Sequence, residues 1–240
     1  MSKILALDFD GVIVDSIDEC FERTVEAYAA ICGPFLVSLA FKNFFYKYRY
    51  LVGPASHFVF LVDAIKSHLD TKENNHSVIQ VFNQLVVDEI GKESNRKKDF
   101  EGSFFLSRKN VRSLDEAAWL AKHKIYKQIL PFIADYCPNS IYIATMKDSD
   151  SVQLLLKYFS IDIPSQNIMG TELGPNKKVH IKKILKTTGV RPADIKFIDD
   201  NVGHLIEVID CGINLAFASW GYGDAKSIEN LNPTNIEILE

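Results

Sequence analysis

The short apolar run Ile4-Leu5-Ala6-Leu7 stops on Asp8, and Asp10 and Gly11 follow at once; from Ile4 to Ser16 the chain reads I-L-A-L-D-F-D-G-V-I-V-D-S. A run this short, apolar throughout and ended by a polar cluster, predicts a strand buried on both faces. Two carboxylates at the end of such a strand are costly unless a cation meets them. Gly11 lets the backbone turn sharply and approach a ligand closely. A hard divalent ion answers the charge, since Mg²⁺ takes oxygen ligands and usually sits beside phosphate. A turn in which Asp8 and Asp10 only cap backbone amides satisfies the same letters, so the rest of the chain decides between the two.

After Ser16 the texture turns helical. Ile17, Cys20, Phe21, Thr24, Val25, Tyr28 and Ala29 fall near one helical face, and Gly33-Pro34 breaks the pattern. Further helical segments are expected over Phe35–Val52, from Pro54 to about Leu69 and from Ser77 to about Ile90, with polar connections at Asp70–His76 and Gly91–Lys98. Ser113 with Glu116 three residues on has the spacing of a capping box and predicts a long helix running towards Lys127. Pro131 opens a new short helix to Cys137. No strand is expected between Ser16 and Lys124.

From Ile141 the pattern alternates. Strands are expected at Ile141–Ala144, Asn167–Gly170, Ile195–Ile198 and Ile213–Ala218, with an edge strand at Asn235–Leu239. Helices are expected between them at Ser151–Phe159, Lys178–Thr187 and Gly203–Ile209. Such alternation implies a parallel sheet with helices on both faces. The first and second strands are separated by a helical block of roughly a hundred residues, too long for an ordinary connection. The expected fold class is therefore α/β: a three-layer Rossmann-like core with a central parallel sheet, formed by residues 1–16 and 122–240, and an α-helical cap domain inserted over residues 17–121.

Composition excludes some classes of function. The 240 residues carry a net charge of −4, without the basic excess of a general nucleic-acid binder. The apolar stretches, such as His57 to Ile65, are too short and interrupted to span a bilayer, and no leader-like segment precedes the first strand. Cys20, Cys32, Cys137 and Cys211 lack C-x-x-C spacing, which argues against a disulfide framework or a zinc site and for a reducing, cytoplasmic setting. Cys20 and Cys32 read as buried small hydrophobes. Oligomeric state is not legible.

Polar residues stand at the ends of several expected strands: Asp8 and Asp10 at the first, Thr145 at the second, Asp199 and Asp200 at the fourth, with Lys177 and Lys178 opening the helix after the third. In a parallel sheet these converge on one rim. Carboxylates for a metal, a hydroxyl, an ammonium and a nucleophile are the inventory of phosphoryl transfer.

In these residues the chain resembles the haloacid dehalogenase superfamily, in its branch with a helical cap inserted after the first motif. Four motifs stand in the family's order: Asp8-Phe9-Asp10-Gly11-Val12, Ile143-Ala144-Thr145, Lys177, and Phe197-Ile198-Asp199-Asp200-Asn201. Trp220-Gly221-Tyr222-Gly223 is similar to the loop after the family's fifth strand. The resemblance covers about Lys3–Ser16 and Ile125–Gly223.

The resemblance implies a Mg²⁺-dependent phosphatase acting on a small phosphorylated metabolite, with a phosphomutase or a non-catalytic binding module on the same fold as alternatives. It implies Asp8 as the nucleophile that forms an aspartyl-phosphate and Asp10 as the general acid and then base. It implies a metal held by Asp8, Asp10, Asp199 and Asp200. Thr145 and Lys177 would hold the phosphate, aided by the backbone near Phe9, Asp10, Gly11 and Met146. The chain departs from the common pattern where Asp199 replaces a Gly and His204 stands in place of a later Asp. The direct metal ligand is thus open between Asp199 and Asp200, alignment favouring Asp200, and His204 is expected either at the surface or behind the metal ligands rather than on the metal. Lys178 competes with Lys177, although helical spacing to Ile181, Ile184 and Leu185 favours Lys177. Lys147 is assigned only to the loop of the second motif. Asp10 favours phosphate esters over halides, whose leaving groups need no acid. In the cap, Arg49 is a candidate partner for an anionic substrate group, against a solvated Arg49 beside aromatics that pack the cap core, and Arg108, Lys109 and Arg112 form a possible anion-contact patch or an exposed loop.

Overall fold

β1 (Ile4–Leu7) is buried along its whole length and pairs in parallel on both sides, with β4 (Ile141–Ala144) and β6 (Ile195–Asp199). Its sequence explains this, because a strand without a polar face must be covered on both faces. The sheet continues in parallel to β5 (Ile168–Met169) on one side and to β7 (Asn214–Ala218) and β8 (Ile236–Leu239) on the other, in the order β5-β4-β1-β6-β7-β8. In this order the chain reverses direction across the sheet at β1, and ligands bind at the carboxyl ends of strands beside such a reversal. The protein is described here from a computed structural model, at residues 3–70, 77–89, 95–174, 176–223, 228 and 236–240.

The chain divides into two compact units, Met1–Ser16 with Lys124–Glu240, and Ile17–His123. The first holds the sheet and the helices α7 (Leu130–Ala134), α8 (Ser149–Tyr158), α9 (Lys177–Thr188) and α10 (Val202–Glu207). Phe197, Phe217, Ile181, Ile184 and Leu205 pack the core on one side of the sheet. Two short strands, β2 (Val14–Asp15) and β3 (Lys124–Ile125), pair antiparallel, so the chain re-enters this unit beside the point where it leaves.

The second unit contains α1 (Ile17–Cys32), α2 (Leu39–Tyr48), α3 (Phe58–Asp70), α4 (Val78–Asp88), α5 (Asn95–Leu114) and α6 (Glu116–Leu120). Its core is aromatic. Phe58 stacks on Phe45 and on Phe104 at 5.5 Å between ring centroids, a separation at which ring pairs add to burial. Within it Arg108 and Glu19 are both buried and joined by two hydrogen bonds of 2.8 Å.

Several expectations change. The polar connection ending at Lys98 belongs partly to α5, which begins at Asn95; its amphipathic spacing lies in Phe100, Phe104 and Arg108, all buried beneath a charged surface. Arg108 is therefore neither an anion-contact residue nor exposed: its charge is taken by Glu19. Ser113 does not cap a helix. It sits inside α5, and Asp115 caps the short α6 by accepting from the Ala118 amide at 2.9 Å. The long helix towards Lys127 is replaced by α6 and β3. Cys20 is buried but Cys32 is exposed. The remainder of the Asp70–His76 loop after Asp70, residue 90 at the end of the expected helix, and residues 91–94 of the second connection lie outside the described residues.

Candidate active site

The ends of β1, β4 and β6 deliver polar groups to the rim beside β1. Asp8 follows β1 directly, and its amide donates to the Ile198 carbonyl at 2.9 Å, which continues the β1–β6 ladder by one residue. Asp8 Oδ1 accepts from the Phe9 amide at 2.7 Å and from Lys177 Nζ at 2.7 Å. Lys177 is the first residue of α9, whose N-cap Asn176 accepts from the Val179 amide at 3.0 Å. Its fully buried ammonium also donates to the Ala144 carbonyl at 2.6 Å and pairs with Asp199 at 3.2 Å. Lys178, the next residue, turns away to Asp210.

Asp199 ends β6 and Asp200 follows it directly, so their side chains leave on opposite faces. Asp199 meets Lys177, His204 Nδ1 at 3.1 Å and the Asn201 amide at 2.8 Å. Asp200 turns towards the turn after β1, and its Oδ2 accepts from the Tyr222 amide at 2.7 Å. A Cβ built on Gly11 would fall 2.3 Å from Asp200 Oδ2, and one on Gly221 would fall 2.4 Å from Asp200 Cβ. Gly11 has φ +91°, in the region favouring glycine, so the close approach and the turn use the same residue.

Asp10 is gripped from two sides. Lys147 Nζ donates to its two oxygens at 3.1 and 3.4 Å, and Ser16 Oγ donates to Oδ1 at 2.5 Å. Thr145 ends β4, is buried, and accepts from the Lys147 amide at 3.2 Å through Oγ1. Tyr222 OH donates to Asp15 Oδ1 at 3.1 Å and accepts from the Ser16 amide at 2.7 Å. Trp220 Nε1 donates to the Val12 carbonyl at 3.1 Å.

The charges sort themselves. Burial pushes the Asp8 carboxyl up from its ordinary value; the Lys177 charge pulls it back and the Asp199 charge adds to the rise. For Asp199 burial also acts upward, but Lys177 and then His204 outweigh it and hold the group low. Burial works against the Lys177 charge, and Asp199 and Asp8 outweigh it, so the ammonium is held above the ordinary lysine value. One lysine thus serves two buried carboxylates, with a third, Asp200, on the other side of the strand end.

With this geometry in hand the chain can be set beside known proteins. No protein-family model matches it, and no curated protein is similar to it in sequence. Solved structures do match over nearly the whole length. A haloacid dehalogenase-like family hydrolase from Streptococcus pneumoniae superposes with a TM-score of 0.59 at 17% identity, over 98% of this chain and 93% of that one. A "predicted phosphatase" from Clostridium acetobutylicum gives 0.62 at 14% identity, over 100% and 94%. A "predicted phosphoglycolate phosphatase" from Haemophilus somnus gives 0.61 at 16% identity, over 98% and 93%. The fold is that of the haloacid dehalogenase-like hydrolases.

On this haloacid dehalogenase-like fold, Asp8, Asp10, Thr145, Lys177, Asp199 and Asp200 come together at the rim, with Phe9, Gly11 and Met146 in the adjoining turns. Arg49 lies in the helical unit, where it donates to the Val52 carbonyl at 2.9 Å and stands 4.9 Å from the Phe58 ring centroid. That surrounding is one of packing. The reading from sequence missed the tie of Lys147 and Ser16 to Asp10, and that of Tyr222 to Asp200. The only signal for them was membership of the turns that adjoin the motifs.

The donor set fits a hard divalent cation. Asp8, Asp200 and the Asp10 main chain offer oxygen, the donor such an ion takes, and burial raises the Asp8 pKa, so a cation there would favour its carboxylate. Asp8, Asp199 and His204 also offer ligand atoms within 4.8 Å of one another. There, however, the Lys177 ammonium already contacts both carboxylates.

Proposed function

We propose that the protein is a Mg²⁺-dependent phosphatase that hydrolyses a small phosphorylated metabolite through an aspartyl-phosphate. The observation that carries this reading is the division of labour between two acids two residues apart. Asp8 is held by Lys177, and Asp10 is held separately by Lys147 and Ser16. The phosphatase names of several proteins sharing the fold support the same reading.

The chemistry follows from the residues. An Asp8 oxygen attacks phosphorus while the bond from phosphorus to the ester oxygen breaks. The electron pair goes to the leaving oxygen, which takes a proton from the Asp10 carboxyl. Asp10, now a carboxylate, takes a proton from water. The water oxygen bonds to phosphorus, and the bond from phosphorus to Asp8 breaks, returning the Asp8 carboxylate and releasing phosphate. Thr145 Oγ1 and the amides of the turns after β1 and β4 hold the phosphate oxygens, and Lys177 neutralises the charge gathering on Asp8 and the phosphate.

Asp8, the Asp10 carbonyl and Asp200, backed by Asp199, would hold the Mg²⁺. When bound it shields the repulsion between carboxylate and phosphate. The helical unit, residues 17–123, takes the role of a cap that selects the substrate and shuts out bulk water. The compartment is cytoplasmic on this reading; no helix among the described residues is long and apolar enough to cross a membrane.

The test is a panel of phosphorylated metabolites with Mg²⁺, read as released phosphate, with Asp8→Asn as control. Turnover by the wild type and none by Asp8→Asn is the expected result. Turnover that persists in Asp8→Asn, or no release from any ester, overturns the reading.

A further inference from the structure

Lys147 stands two residues beyond Thr145, in the turn after β4, and its side chain is wholly buried. Its backbone is fixed at both ends: the amide donates to Thr145 Oγ1 at 3.2 Å and the carbonyl accepts from the Thr171 amide at 3.2 Å. From that base the ammonium reaches both oxygens of Asp10, at 3.1 and 3.4 Å. Ser16 Oγ holds Oδ1 as well. A carboxylate gripped at both oxygens from two sides has lost its rotation about the Cβ–Cγ bond.

Burying an ammonium is expensive, and an apolar residue usually packs such a position at lower cost. If the turn needed only filling, Lys147 would be a poor choice of residue. Nor does Lys147 duplicate Lys177, which serves Asp8 and Asp199. The two buried lysines divide the two acids of the first turn between them. Proton transfer asks for such control, because the donor oxygen must lie within hydrogen-bond reach of its target, and small misplacements of a reacting group cost large factors in rate.

We propose that Lys147 is the positioning residue for Asp10, fixing the plane of the proton-transferring carboxyl group. The proposal rests on the phosphatase reading above. It concerns the step in which the bond from phosphorus to the ester oxygen breaks and that oxygen receives the Asp10 proton. An alkyl ester needs the proton, because an alkoxide is a poor leaving group. An aryl ester such as p-nitrophenyl phosphate does not, because its phenolate leaves as a stable anion.

The experiment measures kcat/KM, which reads the first phosphoryl transfer and not the later hydrolysis, for the wild type, Lys147→Met and Lys147→Arg. The two substrates are p-nitrophenyl phosphate and an alkyl phosphate turned over by the wild type. Lys147→Met is expected to lose about tenfold or more beyond its loss on the aryl ester when assayed on the alkyl ester. Lys147→Arg, which keeps the charge and the donors, is expected to recover much of that difference. Far-UV circular dichroism checks the fold; should Lys147→Met not fold, Lys147→Gln is read in the same way. Equal losses on both esters, or no loss on either, overturn the positioning role. A wild type that releases phosphate from no ester of the panel instead removes the phosphatase reading, so the two failures are distinguishable.

Discussion

Nζ of Lys177 lies 2.7 Å from Oδ1 of Asp8, an ion pair buried at the carboxyl end of β1. The same ammonium holds Asp199, so removing it strands two buried carboxylates. Lys177→Met is expected to destabilise the protein by about 3–5 kcal/mol, the usual cost of breaking a buried pair from one side. Urea unfolding followed by circular dichroism measures this. Asp8→Asn, by contrast, removes a charge whose burial is already unfavourable. It is expected to keep the fold and to lose phosphate release by at least about a thousandfold, in keeping with the loss of a covalent nucleophile.

The Asp200 carboxylate fills the space that a side chain at Gly11 would need. Gly11→Ala is expected to displace Asp200 and to strain a turn with φ +91°. The Mg²⁺ concentration for half-maximal binding should rise by about ten- to a hundredfold, the range seen when the supports of a metal ligand are disturbed. Titration calorimetry with Mg²⁺ reads this directly. In the wild type, chelation by EDTA should abolish turnover and added Mg²⁺ restore it.

His180 is buried one turn beyond Lys177 in α9. Burial, and then the Lys177 charge, lower its pKa to about 4 from an ordinary 6.5. The unfolded chain therefore binds a proton in a range where the folded protein does not. The stability tied to the neutral imidazole is present above the unfolded value and is lost as pH falls from about 6.5 towards 4. A loss of at most about 3 kcal/mol is expected over that window. Urea midpoints at pH 7 and pH 4.5 measure it, and His180→Leu should flatten the difference.

In the helical unit, Arg108 meets Glu19 through two hydrogen bonds of 2.8 Å, with Trp119 Nε1 3.4 Å from the same carboxylate. Arg108→Met removes the guanidinium that takes the charge of the buried Glu19 and is expected to cost about 3–5 kcal/mol. The double change Glu19→Gln with Arg108→Met should cost less than Arg108→Met alone. Trp119 is buried beside the pair, so its fluorescence reports the unfolding of this unit.

Much of the sheet unit is legible in the chain. β1, β4 and β6 are near-continuous apolar runs, and a run of that kind has little choice but a buried parallel strand. The helical unit is less so. The start of α5 is masked because its surface residues Arg96, Lys97, Lys98 and Asp99 outweigh the sparse buried face of Phe100 and Phe104. The strands β2 and β3 have two residues each and leave no periodicity to detect.

The local pattern of the chain picks out the residues proposed for the chemistry. Asp8, Asp10, Thr145, Lys177, Asp199 and Asp200 stand where apolar runs end, and parallel strands bring such ends to one rim. Helical spacing already favours Lys177 over Lys178, and the tertiary structure fixes what each of the two neighbours touches. The phase of α9 turns Lys177 to Asp8 and sends Lys178 to Asp210. The alternation of β6 gives Asp199 to Lys177 and His204, and Asp200 to the turn at Gly11 and Tyr222. The grip of Lys147 on Asp10 joins residues 137 positions apart in the chain. Such contacts have no local period and exist only once the strands are side by side.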